Sequence, residues 1–205
     1  MIYEFRTYRV KVGNLPEVLK RFGEAYEYRK KYSPLMAFWY SEIGPLNEIT
    51  HVWPYQDLEE RTRIRAEASK DPNWPPKVAE YLESLQSNIV MPYSFVPVLP
   101  PGKHGPIYEF RYYTYKGGML PKIQERWQAK LPERIPLSAP AFAGYTDVGA
   151  LNLHIHIWPY ASLNDRVAIR KKAVDTGAWP PPGGGEIWQQ MNNKILLPAA
   201  FSPMQ

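Results

Sequence analysis

The 205-residue sequence predicts an α+β fold made of two tandem ferredoxin-like β-α-β-β-α-β units, and three observations predict it. The pentapeptide His51-Val52-Trp53-Pro54-Tyr55 returns as His156-Ile157-Trp158-Pro159-Tyr160, 105 positions on (156 − 51). The same offset carries Ile2-Tyr3-Glu4-Phe5-Arg6 onto Ile107-Tyr108-Glu109-Phe110-Arg111, and Trp74-Pro75-Pro76 onto Trp179-Pro180-Pro181, so the chain is a tandem duplication. Within each copy, alternating and helical patterns follow in the order strand, helix, strand, strand, helix, strand, which gives an antiparallel sheet with helices on one face. The units are residues 2–97 and 107–203, joined by a linker at 98–106.

Each element has a local reason. Residues 2–12 alternate as a strand, with Tyr3, Phe5 and Thr7 on the face expected to meet helices and Glu4, Arg6 and Tyr8 on the other. Gly13 stops it, and Asn14 is expected to cap a helix with Pro16 and Glu17 in its first turn, where proline needs no amide and glutamate meets the helix dipole favourably. That helix is expected to run to about Tyr32. Ser33-Pro34 breaks it, and Phe38–Ile43 and Leu46–Trp53 form a hairpin around Gly44-Pro45. Asp57 with Glu60, and Ser162 with Asp165, stand at capping-box spacing before the next helices. Asp71-Pro72-Asn73 interrupts that helix, a further helical segment is expected from Trp74 to Gln86, and a last strand from Asn88 to Phe95. In the second copy Pro180-Pro181-Pro182-Gly183-Gly184-Gly185 replaces helix formers and reads as a mobile loop able to act as a lid.

Composition narrows the function. Hydrophobic residues are 44% and aromatics 14%, so the chain can bury a core and has aromatic surplus for a pocket or interface. The absence of cysteine excludes disulfides, thiolate metal sites and a cysteine nucleophile. Strand-like residues begin at Ile2 and no apolar run approaches the roughly 20 residues that span a bilayer, so a cytoplasmic protein is expected. The net charge of +5 is spread among acidic residues rather than gathered on a stripe, which does not point to nucleic acid. No phosphate-binding glycine loop, dinucleotide fingerprint or serine-histidine-acid order is present.

The opening Tyr-Glu-Phe-Arg-x-Tyr, the Glu42-Ile43-Gly44-Pro45-Leu46-Asn47 turn, the His-Val-Trp-Pro-Tyr strand end and the Asn88-Ile89-Val90-Met91-Pro92 tail resemble the NIPSNAP family. The resemblance covers both copies, although the second has Asp147-Val148-Gly149-Ala150-Leu151-Asn152 at the turn. It implies units that pair sheet to sheet as a dimeric α+β barrel, here with one chain supplying both halves. It also implies kinship with α+β-barrel proteins that include cofactor-free monooxygenases, isomerases and haem enzymes, while eukaryotic members are linked to vesicle traffic and mitochondria. Fold membership leaves function open.

Strand parity selects candidate residues. If Leu151, Leu153, Ile155 and Ile157 face helices, then Asn152, His154, His156 and Trp158 face the space between the sheets, and Asn47, His51 and Trp53 do so in the first copy. Arg6 and Tyr8, and Glu109, Arg111 and Tyr113, share that face, with each Glu-Arg pair expected to neutralise itself. The extra histidine makes the second half the expected reactive one. There His156 would be proton acceptor or donor, His154 and Asn152 positioning groups, and Trp158 a stacking surface. His154 and His156 can face one metal, but no third ligand is identifiable, so neither metal nor cofactor is assigned. Arg61 with Arg65, and Arg166 with Arg170, are expected to be solvated stems on a helix. The favoured function is binding of a small, largely apolar or aromatic molecule between the sheets, as in a cofactor-independent oxygenase or isomerase. The alternative is a noncatalytic interaction module, and homo-oligomerisation stays open.

Overall fold

The computed structural model describes residues 1–205. The first half contains β1 (Ile2–Val10), α1 (Leu15–Arg29), β2 (Ala37–Ile43), β3 (Glu48–Tyr55), α2 (Leu58–Ala68) and β4 (Leu82–Pro92). The second contains β5 (Ile107–Tyr115), α3 (Leu120–Arg134), β6 (Phe142–Val148), β7 (Leu153–Tyr160), α4 (Leu163–Asp175), the single turn α5 (Gly184–Ile187) and β8 (Trp188–Pro198). Two of the expected caps form: Asp57 accepts from the Glu60 amide at 2.8 Å and Ser162 from the Asp165 amide at 3.0 Å. Asn14 does not cap α1; its side-chain amide donates back to the Lys11 and Val12 carbonyls. None of the helices is long and apolar enough to cross a membrane.

The eight strands close into one antiparallel barrel in the order β1-β3-β2-β8-β5-β7-β6-β4, so one chain supplies both halves. The halves are stitched at two seams, β2 with β8 and β4 with β6. The tails cross over: Phe201 of the second half packs on Phe38 of the first, and the Phe38 amide donates to Ser202. The linker is tied down as well, with the Gly102 amide donating to Pro203.

Two further expectations need correction. The segment 74–86 is not helical. Pro75 and Pro76 cannot donate to a helix, only one 3₁₀ turn forms at Ala79–Tyr81, and β4 begins at Leu82, where it pairs with Val10.

The second correction concerns which face is inside. The barrel interior holds Tyr3, Phe5, Val52, Phe110, Ile155 and Ile157 in one apolar cluster drawn from both halves. Tyr8, Ile49 and Trp53 instead pack with Val18 and Phe22 of α1, and Trp158 packs with Ile123 and Trp127 of α3. Glu4, Arg6, His51, Glu109, Arg111, Tyr113, His154 and His156 share that helix-facing side. In this eight-stranded barrel side chains fill the interior, and the more apolar face goes inward. One ion pair, Lys194 with Glu48, joins the two halves inside. Alternation revealed two faces but not which is which, because both are covered, one by helices and one by the opposite wall.

Candidate ligand-binding site

The site is built on the helix-facing side of the second half. Glu109 of β5 is fully buried, and a buried carboxylate must be compensated. It accepts from Arg111 Nη1 and Arg166 Nη2, both at 2.5 Å, and from Asn193 Nδ2 at 3.0 Å, with Arg170 at 3.6 Å. Burial alone would raise this carboxyl, but the hydrogen bond from Arg166 and the charges of Arg111 and Arg170 outweigh it and hold it below the usual range. Glu4 repeats the arrangement with Arg6, Arg61, Ser87 and Arg65. Burial again opposes ionisation, and these partners carry the Glu4 carboxyl down to about 2. Arg61 and Arg166 are therefore not solvated stems. Each reaches from its helix to a buried glutamate that the sequence offset of 57 hides.

The histidine two residues before tryptophan now has a cause. Residues i and i+2 of a strand share a face, and Trp158 Nε1 donates to His156 Nδ1 at 2.6 Å, as Trp53 does to His51 at 2.7 Å. Indole nitrogen only donates, so Nδ1 must carry the lone pair and the neutral ring holds its proton on Nε2. His156 Nε2 is buried without a hydrogen-bond partner. Burial pushes His156 well below the ordinary imidazole value, and His154, Arg111 and Arg170 add to the effect. At neutral pH it is thus an uncharged ring whose Nε2–H has no partner, as in His51 of the first half, and the nitrogen that could take a proton is already occupied.

A cavity of about 640 Å³ lies between the sheet and helices α3 and α4, roofed by Trp179 and the Pro180–Gly185 segment. Of the expected residues, His156, Trp158, Arg111 and Tyr113 line it. Glu109 stands behind, anchoring the arginines. His154 is fully buried and does not line it; its Nδ1 is bonded to Tyr93 Oη at 2.8 Å and its ring stacks on His156 and Trp188. Burial takes His154 down to about 3. No third histidine, aspartate or glutamate joins the two histidines in a metal-holding cluster. Asn152 and Asn47 are not on a wall at all. They occupy hairpin turns at φ of 55° and 57°, where asparagine is tolerated better than most residues. Arg6, Tyr8, His51 and Trp53 belong to the helix-facing layer of the first half and do not line this cavity.

Sequence reasoning missed Trp127, Trp188 and Arg134, which also line the cavity. Arg134 had a signal available, since it repeats Arg29 at the same offset of 105. Tyr93 had none, because it comes from the first half's tail, where one residue inserted in the Gly183–Gly185 run makes the offset 106, and its counterpart is Ala199.

The NIPSNAP family model matches residues 3–97 and again 108–203. Among curated relatives, a human NipSnap homolog 3A is 26% identical over all of this chain and 86% of its own length. A Dictyostelium discoideum NipSnap homolog is 26% identical over 87% of this chain and 78% of its own. Among solved structures, a monooxygenase-like protein from Fusobacterium nucleatum superposes with a TM-score of 0.68 at 10% identity, covering 97% of this chain and 92% of that one. At that identity the likeness concerns the fold alone.

Proposed function

The chain belongs to the NIPSNAP family, and from that premise we propose that it is a small-molecule-binding protein whose second half takes up a flat, largely apolar or aromatic molecule. The ligand would lie between the sheet and the helices, not between the two sheets, since the barrel interior is filled. One observation carries the reading: the 640 Å³ cavity is lined by four indoles, Trp127, Trp158, Trp179 and Trp188, together with the neutral ring of His156. Its size suits a drug-sized ligand, and the indoles supply aromatic walls on which a planar molecule can stack. The reaction class that fits best is cofactor-independent oxygenation or isomerisation, with His156 donating to an oxygen that gains negative charge.

The test is a titration of intrinsic tryptophan fluorescence with 2-naphthol, a flat neutral probe. Saturable quenching is expected in the native protein, weakened at least about tenfold in Val174→Trp, which places bulk at the exposed cavity rim. Absence of saturable quenching, or equal affinity in the two proteins, would sink the reading.

A further inference from the structure

We infer that the ligand of this cavity is an anion, a flat aromatic or conjugated acid whose charged oxygen pairs with Arg134; the inference rests on the binding reading above. Four arginines line the cavity, Arg111, Arg126, Arg134 and Arg170, and no aspartate or glutamate does. Three of the four have carboxylate partners outside the lining: Arg111 and Arg170 share Glu109, and Arg126 meets Glu186 at 3.3 Å. Arg134 has none. It is 2% exposed, and it is satisfied only by the Ser138 carbonyl at 2.8 Å, a long contact of 3.5 Å to Tyr160 Oη and the face of Trp158.

A buried cation without a counter-charge is costly, and the first half shows how the same position is quieted by its neighbours. Arg29 also lacks a carboxylate, but its guanidinium lies against two indoles, Trp53 at 4.6 Å and Trp74 at 5.7 Å. It donates to Ser33 Oγ at 2.8 Å and Tyr55 Oη at 3.1 Å. Arg134 keeps one indole and opens onto the cavity instead. A carboxylate or enolate there would supply the missing charge and could accept from His156 Nε2 as well, and charge-assisted bonds of this kind are about twice as strong as neutral ones. His156 cannot act as a base through Nδ1, so a ligand that arrives already ionised also removes the need for one. The indoles would hold the planar remainder.

The probes are 2-naphthoate and its neutral isostere 2-naphthamide, titrated into the native protein and into Arg134→Gln. Naphthoate is expected to bind at least about tenfold more tightly than the amide. The preference should shrink to within about twofold in Arg134→Gln, with amide affinity little changed. Equal affinity of the two probes in the native protein would overturn the charge inference while leaving the cavity reading intact. A preference that persists in Arg134→Gln would overturn the role of Arg134. If neither probe binds, the cavity reading fails and the inference with it. The native comparison needs no variant, so a substitution that fails to fold does not rescue the proposal.

Discussion

The two halves share nearly every polar residue of the helix-facing layer, yet they use it differently. Both have a glutamate gripped by arginines, a Trp-to-His hydrogen bond and an arginine over a tryptophan. In the first half Val78, 4% exposed, sits in one apolar cluster with Phe22, Trp53 and Trp74. The second half has the Gly183–Gly185 run in this segment, with Gly183 at φ +74°, a backbone that suits glycine, and the run lines the cavity. A Cβ at Gly183 would stand 2.2 Å from Arg126 Nη1. The second difference is the pair His154 and Tyr93, replaced by Ile49 and Ala199. The layer common to both halves therefore reads as scaffold, and the halves differ around it by the glycine run and one extra polar pair.

The comparison breaks most directly at the glutamates. Glu4→Gln and Glu109→Gln should each destabilise by about 3–5 kcal/mol in urea denaturation, because several arginines lose a buried counter-charge. Equal losses would establish the shared layer as scaffold, whereas a loss confined to Glu4 would mean that Glu109 is kept for binding. The cavity can be moved in principle by exchanging the residues that plug it. Val78→Gly should cost about 2–4 kcal/mol through lost packing and backbone entropy, and Gly183→Val should abolish saturable probe binding. Retained binding in Gly183→Val would show that the glycine does not hold the cavity open.

Acid sharpens the contrast because only the second half has His154. Its folded value is depressed to about 3 from an ordinary 6.5, so its contribution is complete above pH 6.5 and is lost as pH falls toward 3. The loss should run at about 1.4 kcal/mol per pH unit within that window. The double variant Tyr93→Phe with His154→Ile removes both partners of the bond. It should lose less stability than the native protein between pH 6.5 and 4.5, measured by denaturation at a series of pH values. Parallel curves would mean that His154 takes up its proton as readily in the folded as in the unfolded chain. The smallest effect is at the helix arginines: Arg61→Ala and Arg166→Ala, 22% and 21% exposed, should each cost about 1–3 kcal/mol through a lost charge-assisted bond. A value near zero would restore the view of them as solvated stems.

Much of this was legible in sequence. The duplication, the β-α-β-β-α-β order, both caps and the pairing of Glu4 with Arg6 follow from spacing and local chemistry, since the groups involved lie within a few residues of each other or recur at one offset. The expectation that the second half differs also rested on sequence, through His154 and the glycine run. What only the tertiary structure decided is the side on which these residues act. A strand's period of two assigns residues to faces but attaches neither face to a neighbour, and in a closed barrel both faces are buried. Arg61 reaching Glu4, Tyr93 reaching His154, and the gap left by Gly183 all join residues tens of positions apart. Such contacts are fixed by how the helices and crossed tails pack onto the barrel, and no local pattern encodes them.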